Sequence, residues 1–325
     1  MDRRVTVLAG GVGAARFLRG LLDVVAHDRV TAVVNTGDDT VLHGLMVSPD
    51  LDTVTYTLAG AINTETGWGL TDESWQAMGE LRRHAEANGI SPEDPSSGEA
   101  AGWFALGDRD LGTHLYRTSR RRAGATLSEV TAELARSWGL GLRLLPVTDD
   151  ELRTRVTTAD DRDLAFQEYF VREQHDVAVR EGRVEGAGRA APAPGVLDAI
   201  GGADVVCIAP SNPVVSIGPL LEVPGVRATV EAARQRTVAV SPLVGGEALK
   251  GPAARLLREL GHEASVVGLA RWYAPLAGTL VIDRTDAELA GAVEAEGVRC
   301  VVTDTIMRDA PTSAALARTC LEAVA

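Results

Sequence analysis

Two short apolar runs, separated by a glycine loop and an amphipathic stretch, constrain the fold of this chain more than any other feature. Val5–Ala9 (VTVLA) is the first run, and it leads directly into the glycine loop Gly10–Gly13 (GGVG). The stretch that follows, AARFLRGLLDVVA, has the spacing of a helix, and Val30–Asn35 (VTAVVN) is the second run. A strand, a helix and a second strand in this order form a βαβ unit, which requires a parallel sheet with a right-handed crossover.

The same alternation of strands and helices returns near the carboxyl terminus, after a long mixed region. We therefore predict a Rossmann-like α/β fold, with a mostly parallel sheet and helices on both faces. Residues 1–60 and 196–325 are expected to form the Rossmann-like core, and residues 61–195 an inserted helical and mixed subdomain. Further strands are predicted at Leu142–Val147, Arg153–Thr158, Asp204–Ala209, Thr237–Val240, Thr279–Ile282 and Arg299–Val302. Helices are predicted at Leu51–Leu58, Glu73–Ala87, Leu127–Trp138, Gly246–Leu260 and Thr312–Ala323.

Charge and composition exclude several classes of partner. The chain has 325 residues, and its net charge of −13 leaves no overall electrostatic attraction for nucleic acid or an anionic membrane. Lys250 is the only lysine, so a Walker-type phosphate loop, which requires Gly-Lys-Ser/Thr, is excluded. No apolar run approaches the ~20 residues of a membrane span. Cys207, Cys300 and Cys320 are few and far apart, which favours a reducing cytoplasm over a disulfide framework.

Glycines and acids follow the first two predicted strands, at the strand ends where ligands bind in open α/β sheets. The backbone N–H groups of Gly10, Gly11 and Gly13 are candidates to bind a phosphate at the start of a helix. Asp38 and Asp39 follow the second strand and are candidates to hold a hard cation such as Mg²⁺ or to bind hydroxyls. A tight turn and a polar loop are the structural alternatives at these two places.

A second pair of acids, Asp50 and Asp52, lies at the beginning of the helix predicted over Leu51–Leu58. Asp52 or Ser48 is also a candidate N-cap of that helix. Four carboxylates within fifteen residues repel one another, and a divalent cation would relieve the repulsion. The cluster therefore favours a metal site over helix caps alone.

The segment Gly107–His114 (GDRDLGTH) carries a further set of candidate contacts. It presents Asp108, Arg109 and His114 near two glycines, and the arginine suits an anionic or planar polar group. The structural alternative is a helix start that is capped by one of the aspartates.

A polar loop between two prolines follows the strand predicted over Asp204–Ala209. Ser211 and Asn212 supply its side-chain hydrogen-bonding groups, and an ordinary connecting loop is equally compatible with this pattern. Three tryptophans of the inserted region are candidates either to line a site for a flat ring or to pack in a core. They are Trp68, Trp75 and Trp103.

Taken together, these segments resemble the 2-phospho-L-lactate transferase family of deazaflavin coenzyme (F420) biosynthesis. The resemblance extends from residue 5 to about residue 255 and rests on several motifs in a fixed order. They are VLAGGVGAARFLRGL, VVNTGDDTVLHGLMVSPDLDTVTYTLAG, WFALGDRDLGTHLYR, FQEYFVR, IAPSNPVVSIGPLL and SPLVGGEALKGPA.

The resemblance implies an enzyme that joins a three-carbon acid phosphate to the deazaflavin precursor FO. A ribityl hydroxyl of FO would attack the phosphoryl group of a guanosine diphosphate-linked lactate or enolpyruvate, and GMP would leave. Bacteria of the actinobacterial type are expected to use the enolpyruvyl donor, which gives dehydro-F420-0. An arginine-rich chain with one lysine is typical of a GC-rich genome, and this composition favours that donor.

The resemblance also implies a role for each candidate residue. Mg²⁺ would be the cofactor, with its ligands drawn from Asp38, Asp50 and Asp52, and Asp38 and Asp50 would be catalytic. FO and the guanosine diphosphate-linked donor are the expected partners, with no nucleic acid and no membrane, and we expect a cytoplasmic homodimer. The expected substrate-binding residues are Gly10, Gly11, Gly13, Asp39, Asp108, Arg109, His114, Ser211 and Asn212.

Two other functions share parts of this pattern. A related family of nucleotide-sugar-binding regulators, the gluconeogenesis-factor family, has the glycine loop and the Ser-Asn-Pro loop, but we associate WFALG and GDRDLGTH with the transferases. A dinucleotide-dependent oxidoreductase would use an acid after the second strand to bind a ribose, as Asp38 could. Binding of FO distinguishes a transferase from the regulators, and binding of GDP without binding of NAD(P) would exclude the oxidoreductase.

Overall fold

The computed structural model describes residues 2–91, 104–249 and 251–324, so Trp103 and Lys250 lie outside the described residues. None of the described helices is both long enough and apolar enough to cross a membrane. The strands are β1 (Val5–Ala9), β2 (Val30–Val34), β3 (Thr40–Leu42), β4 (Leu45–Val47), β5 (Arg143–Pro146), β6 (Arg153–Thr158), β7 (Asp163–Ala165), β8 (Val179–Glu185), β9 (Val205–Ile208), β10 (Thr237–Val240), β11 (Leu243–Val244), β12 (Glu247–Ala248), β13 (Thr279–Asp283) and β14 (Arg299–Thr303). The α-helices are α1 (Gly11–Leu22), α2 (Pro49–Leu58), α3 (Gln76–Ala87), α4 (Asp108–Arg122), α5 (Leu127–Ser137), α6 (Val196–Gly201), α7 (Gly218–Glu222), α8 (Val226–Ala232), α9 (Ala253–Glu259), α10 (Val266–Tyr273), α11 (Ala290–Ala295) and α12 (Ala310–Glu322).

The central sheet is parallel and contains seven of the described strands, in the order β14-β13-β10-β9-β1-β2-β5. From β1 the chain moves outward to β2 and β5, and it then returns to the other side of β1 as β9. Val5 in β1 pairs with Val30 in β2 and with Val205 in β9. The strand order therefore reverses between β1 and β9, which is where doubly wound sheets bind ligands. The predicted Rossmann-like α/β fold is confirmed.

Helices bury both faces of this sheet, which explains why its inner strands are apolar along their whole length. On one face, Val7 of β1 packs in a core with Phe17 of α1 and Leu316 of α12. On the other face, Leu8 of β1 packs in a core with Tyr273 of α10. The small aliphatic residues that dominate the composition thus fill two layers between helix and sheet.

The region between β4 and α6 adds a second set of elements to the core. It contributes α3, α4 and α5, together with a small antiparallel sheet in the order β7-β6-β8. Its strand β5 pairs with β2 at one edge of the central sheet, so part of residues 61–195 belongs to the sheet of the core. The division of the chain at residues 60 and 195 stays a prediction.

The helix predicted over Gly246–Leu260 is wrong in its first half. Strands β11 and β12 pair there as a hairpin, and α9 begins only at Ala253. Gly245 and Gly246 form the hairpin turn with φ values of +61° and +77°, a left-handed conformation that a right-handed helix does not contain. Pro252 then immediately precedes the first residue of the helix.

Close packing of α1 against α12 depends on Gly20, and this contact can be tested. A Cβ at Gly20 would collide with the backbone of Ser313 and Ala314. We predict that Gly20→Ala lowers the free energy of unfolding by about 1–3 kcal/mol, because the two helices must separate. Gly112 in α4 is a matched control with nothing within 4 Å of an added Cβ, and Gly112→Ala should stabilise the helix by up to about 1 kcal/mol. Urea unfolding measures both changes, and equal effects of the two variants would contradict the packing.

Candidate active site

A cavity of about 820 Å³ opens at the carboxyl ends of β1 and β9, where the strand order reverses. The core side of the cavity is formed by the loop after β1, the first turn of α2 and the loop after β9, and residues of the inserted region form the other side. The fold therefore places the cavity where ligands are expected. The predicted site residues on its wall are Gly10, Gly11, Gly13, Asp38, Asp50, Asp52, His114, Ser211 and Asn212.

The glycine loop is closely packed against its neighbours. A Cβ at Gly13 would collide with the carbonyl oxygen of Pro210, and one at Gly10 would lie 2.7 Å from Asp50 Oδ2. Gly11 has a φ of +71°, and its N–H donates to the Asp50 carboxylate. At the start of α1, where we expected amides to meet a phosphate, at least one amide therefore binds an acidic side chain, as the helix dipole favours.

Two carboxamide side chains hold the acids on the cavity wall. The wholly buried Asn35 donates from Nδ2 to Asp50 Oδ2 (3.0 Å) and to Asp38 Oδ1 (3.4 Å). Gln167, from the inserted region, donates from Nε2 to Asp38 Oδ2 (3.4 Å). Neither amide was among the predicted site residues, although Asn35 ended the second predicted strand and Gln167 lies in the FQEYFVR motif. Each oxygen of Asp38 thus has its own donor, one from the core and one from the insertion.

Three neighbouring carboxylates are difficult to ionise because they are buried together. Burial raises the pKa of Asp39 to about 8 and the pKa of Asp50 to about 6. Burial first, and then the negative charge of Asp50, holds the pKa of Asp38 well above its usual range. When ionised these groups repel one another, so a bound cation would stabilise their charged forms.

Asp52 is separated from the other acids by an ion pair. Both of its oxygens accept hydrogen bonds from the guanidinium of the buried Arg117, one of them at 3.1 Å. Arg117 Nη1 also lies 3.1 Å from His114 Nδ1, and His114 Nε2 lies 3.3 Å from Asp110 Oδ1. Tyr56 donates its hydroxyl to that same oxygen of Asp110 at 2.6 Å. A guanidinium therefore already neutralises Asp52, which we predicted to be a metal ligand.

Asp108 and Arg109 do not line the cavity, because they lie in the first turn of α4 and bind the neighbouring chain. Asp108 accepts hydrogen bonds from the N–H groups of Gln76 and Ala77, so it caps the start of α3. Arg109 donates to the carbonyl oxygen of Thr71 at 2.6 Å. Of the three residues predicted from this segment, His114 alone lies on the cavity wall.

The loop after β9 is tied to the glycine loop. Ser211 donates from Oγ to the carbonyl oxygen of Gly10 at 2.8 Å, and Asn212 accepts from the N–H of Val214 at 3.0 Å. The two loops at the switch point therefore behave as one unit, with Ser211 as the link between them.

An aromatic rim surrounds the mouth of the cavity on the side of the insertion. Trp68 and Trp75 are 52% and 50% exposed, and both line the cavity. Trp68 meets Phe170 edge-on, with ring centroids 6.5 Å apart, and Phe170 stacks on Phe166 at 5.6 Å. Exposed aromatic faces of this kind can stack on a flat ring.

In the described part of the chain, no group of three or more histidine, cysteine, aspartate or glutamate side chains is arranged to hold a metal ion. Asp38 and Asp50 nevertheless stand side by side on Asn35, and both line the cavity. A divalent ion at this position would therefore need further oxygen ligands from a substrate or from water.

The fold and the site together define a Rossmann-like protein with a cavity at its topological switch point, between buried acids and an aromatic rim. The family model described as "2-phospho-L-lactate transferase CofD" matches residues 5–320. The chain belongs to this family of transferases.

Curated relatives match nearly the whole chain. The chain is 45% identical to a protein of Kitasatospora aureofaciens, over 98% of this chain and 97% of the relative. It is 45% identical to one of Streptomyces griseus, over 98% of each, and 39% identical to one of Mycolicibacterium smegmatis, also over 98% of each. All three relatives are named phosphoenolpyruvate transferase.

Solved structures share the fold at low sequence identity. Two crystal structures of a Bacillus halodurans protein, one described as a member of the UPF0052 family, each align with a TM-score of 0.60. They are 17% and 16% identical to this chain, and cover 99% of it and 99–100% of their own chains. This likeness supports the α/β architecture and nothing more specific.

The raised pKa of Asp39 predicts a pH dependence of stability. In the unfolded chain Asp39 ionises near pH 4, whereas in the folded protein it keeps its proton up to about pH 8. The free energy of unfolding of the metal-free protein in EDTA should therefore fall as pH rises from 5.5 to 8. Asp39→Asn cannot ionise, so we expect a smaller fall in that variant.

Urea unfolding at the two pH values measures this difference. Asp198→Asn, at an exposed position of α6, is the matched control and should fall as the wild type does. Equal pH dependence in Asp39→Asn and in the wild type would show that Asp39 is not the group responsible.

Proposed function

We propose that this protein transfers a phosphorylated three-carbon acid from a guanosine diphosphate-linked donor to a ribityl hydroxyl of FO, in the biosynthesis of coenzyme F420. Membership of the transferase family supports this reaction. The name of the relatives that are 39–45% identical supports phosphoenolpyruvate as the transferred group. Dehydro-F420-0 and GMP would then be the products. The observation that carries the proposal is the pair Asp38 and Asp50 on the wall of the cavity at the switch point.

The proposed reaction needs positioning and one proton acceptor. The hydroxyl oxygen of FO forms a bond to the phosphorus that bears the enolpyruvyl group. The bond from that phosphorus to the bridging oxygen breaks, and the bridging oxygen leaves with GMP. The attacking hydroxyl loses one proton, which a carboxylate must accept. Direct attack requires no protein nucleophile, so the side chains bind, orient and accept that proton.

We assign the proton acceptor to Asp38. Its Oδ2 faces the amide of Gln167 and its Oδ1 faces the amide of Asn35, so the carboxylate has a fixed orientation on the cavity wall. A general base must lie within hydrogen-bond reach of the proton it removes, and a carboxylate held in this way satisfies the requirement once FO is bound beside it.

Mg²⁺ fits the same two carboxylates. Asp38 Oδ1 and Asp50 Oδ2 share the amide of Asn35, and their mutual repulsion is relieved by a cation. Magnesium is commonly held by one or two protein carboxylates together with substrate phosphates and water, so it does not require a third acidic ligand. When bound, it would supply positive charge to the phosphate oxygens of the donor. In this proposal Asp52 stays with Arg117.

The remaining wall residues divide between the two substrates. The glycine loop and the Ser211–Asn212 loop form the side that we propose for the nucleotide and its diphosphate. The aromatic rim of Trp68 and Trp75, with His114 below it, forms the side that we propose for the deazaflavin ring. Asp108 and Arg109 would support this side through their contacts with the start of α3 and with the chain that precedes it. A cytoplasmic location and a homodimer complete the proposal.

The experiment that tests this function incubates the protein with FO, Mg²⁺ and either the enolpyruvyl or the lactyl donor. Mass spectrometry then measures dehydro-F420-0, F420-0 and GMP. We expect GMP and dehydro-F420-0 in equal amounts from the enolpyruvyl donor. A protein that does not bind FO, as judged by FO fluorescence, but binds nucleotide sugars would instead be a regulator, and the proposal would fail.

Asp38→Asn tests the acid that we place at the centre of this reaction. The substitution keeps the size of the side chain but removes its charge and its basicity, so we expect the transfer rate to fall by about 100-fold or more. Circular dichroism should show an unchanged fold. The control Asp198→Asn, at the exposed α6 position, should transfer at the wild-type rate, whereas full activity in Asp38→Asn would refute the assignment.

A further inference from the structure

A second cavity of about 570 Å³ lies behind the carboxylate of Asp38. The two cavities share a wall, because Asp38, Val47, Phe166 and Gln167 line both of them. Asp39 lines only the second cavity. So do residues of β3, residues of the segment that connects β5 to β6, and Arg117 and Arg121 of α4. Groups in the second cavity therefore lie on the opposite side of the acid that we assign to the reaction.

Residues that line this second cavity carry buried polar atoms without partners in the described part of the chain. The hydroxyls of Thr36 and Thr154 are buried, with the residues 1% and 5% exposed, and neither has a hydrogen-bond partner among the described residues. Asp39 Oδ1 is likewise buried without a partner in that part of the chain. Buried polar atoms are nearly always hydrogen-bonded, so these three atoms mark a polar region within the wall of the second cavity.

Two arginines of the second cavity have no carboxylate partner within the described ranges. Arg121 donates only to the carbonyl oxygens of Ala125 (2.9 Å) and Asp149 (3.3 Å), and Arg172 forms no ion pair there. Their positive charges are therefore available to a bound anion. The other arginines of this cavity form ion pairs with acids; they are Arg117, Arg153 and Arg155.

The acids of the second cavity beyond Asp38 and Asp39 are already engaged. Asp149, Asp150 and Glu168 each accept a backbone N–H, and Glu151 forms an ion pair with Arg153. By contrast, Arg16 is the one arginine among the described residues that line the active-site cavity. Five of the described arginines thus line the second cavity, whereas one lines the active-site cavity.

We propose that the second cavity binds the carboxylate end of the three-carbon acid of the donor, with Arg172 and Arg121 as its contacts. This inference rests on the proposed function. In the donor, the carboxylate is separated from the reacting phosphorus by one oxygen and one carbon atom. If the phosphorus of the donor lies beside Asp38, the carboxylate of the three-carbon acid is close to the wall that the two cavities share. Guanidinium groups bind carboxylates in preference to neutral groups, so these residues select an acid over a neutral three-carbon group.

The test compares how variants bind the donor, GDP and FO. Arg172→Gln and Arg121→Gln change the second cavity, and Arg189→Gln changes an exposed arginine of the insertion that lines neither cavity. We expect the KM for the donor to rise about tenfold or more in Arg172→Gln and severalfold in Arg121→Gln. The dissociation constant of GDP, which lacks the acid, and the KM for FO should not change, and Arg189→Gln should match the wild type. An unchanged donor KM, or a parallel loss of GDP affinity, would overturn the inference.

A separate arm keeps the inference distinct from the proposed function. Wild-type turnover with FO tests the function itself. If the wild type transfers nothing, calorimetry with free phosphoenolpyruvate as the probe still tests the second cavity. Binding to the wild type and to Arg189→Gln, with at least tenfold weaker binding to Arg172→Gln, would support an acid site. Equal binding to all three proteins, or no binding to any, would reject it.

Discussion

The rest of the site depends on the joint burial of three carboxyl groups, two of them after β2 and one in the first turn of α2. Asn35 supports two of them, because a single buried amide donates to both Asp38 and Asp50. Burial raises the pKa of all three acids, so in the ligand-free site they lose their protons at a higher pH than exposed carboxyl groups do. A ligand that brings positive charge, or that takes up the proton, is therefore favoured at this point of the fold.

The glycine loop allows these acids to approach the backbone. A side chain at Gly10 would strike Asp50, and one at Gly13 would strike the loop after β9. The loop thus brings the ends of β1 and β9 together and holds Asp50 on the start of α1, through the N–H of Gly11. The sequence predicted that these glycines bind a phosphate. In the ligand-free protein they also allow the loop to pack closely against its neighbours.

The insertion completes a site that the core alone leaves open. Gln167 reaches Asp38 from the segment after β7, and Arg117 reaches Asp52 from α4. Of the four acids, Arg117 neutralises Asp52 and connects it to His114. Within the described residues the other three acids have no such ion pair, so their charge and surroundings differ from those of Asp52. Because Asp38 and Gln167 line both cavities, the same contact that orients the acid also divides the space around it.

The sequence by itself determined the fold class, the strand ends that carry the site and most of the acids on the cavity wall. These depend on local patterns: β-branched runs, a glycine loop and acids directly after a strand. Only the tertiary structure decided which acid is free and which is paired, since Arg117 is 65 residues from Asp52 and Gln167 is 129 residues from Asp38. It likewise turned Asp108 toward the start of α3. Pairing across such distances depends on how helices and the insertion pack, which no local pattern encodes.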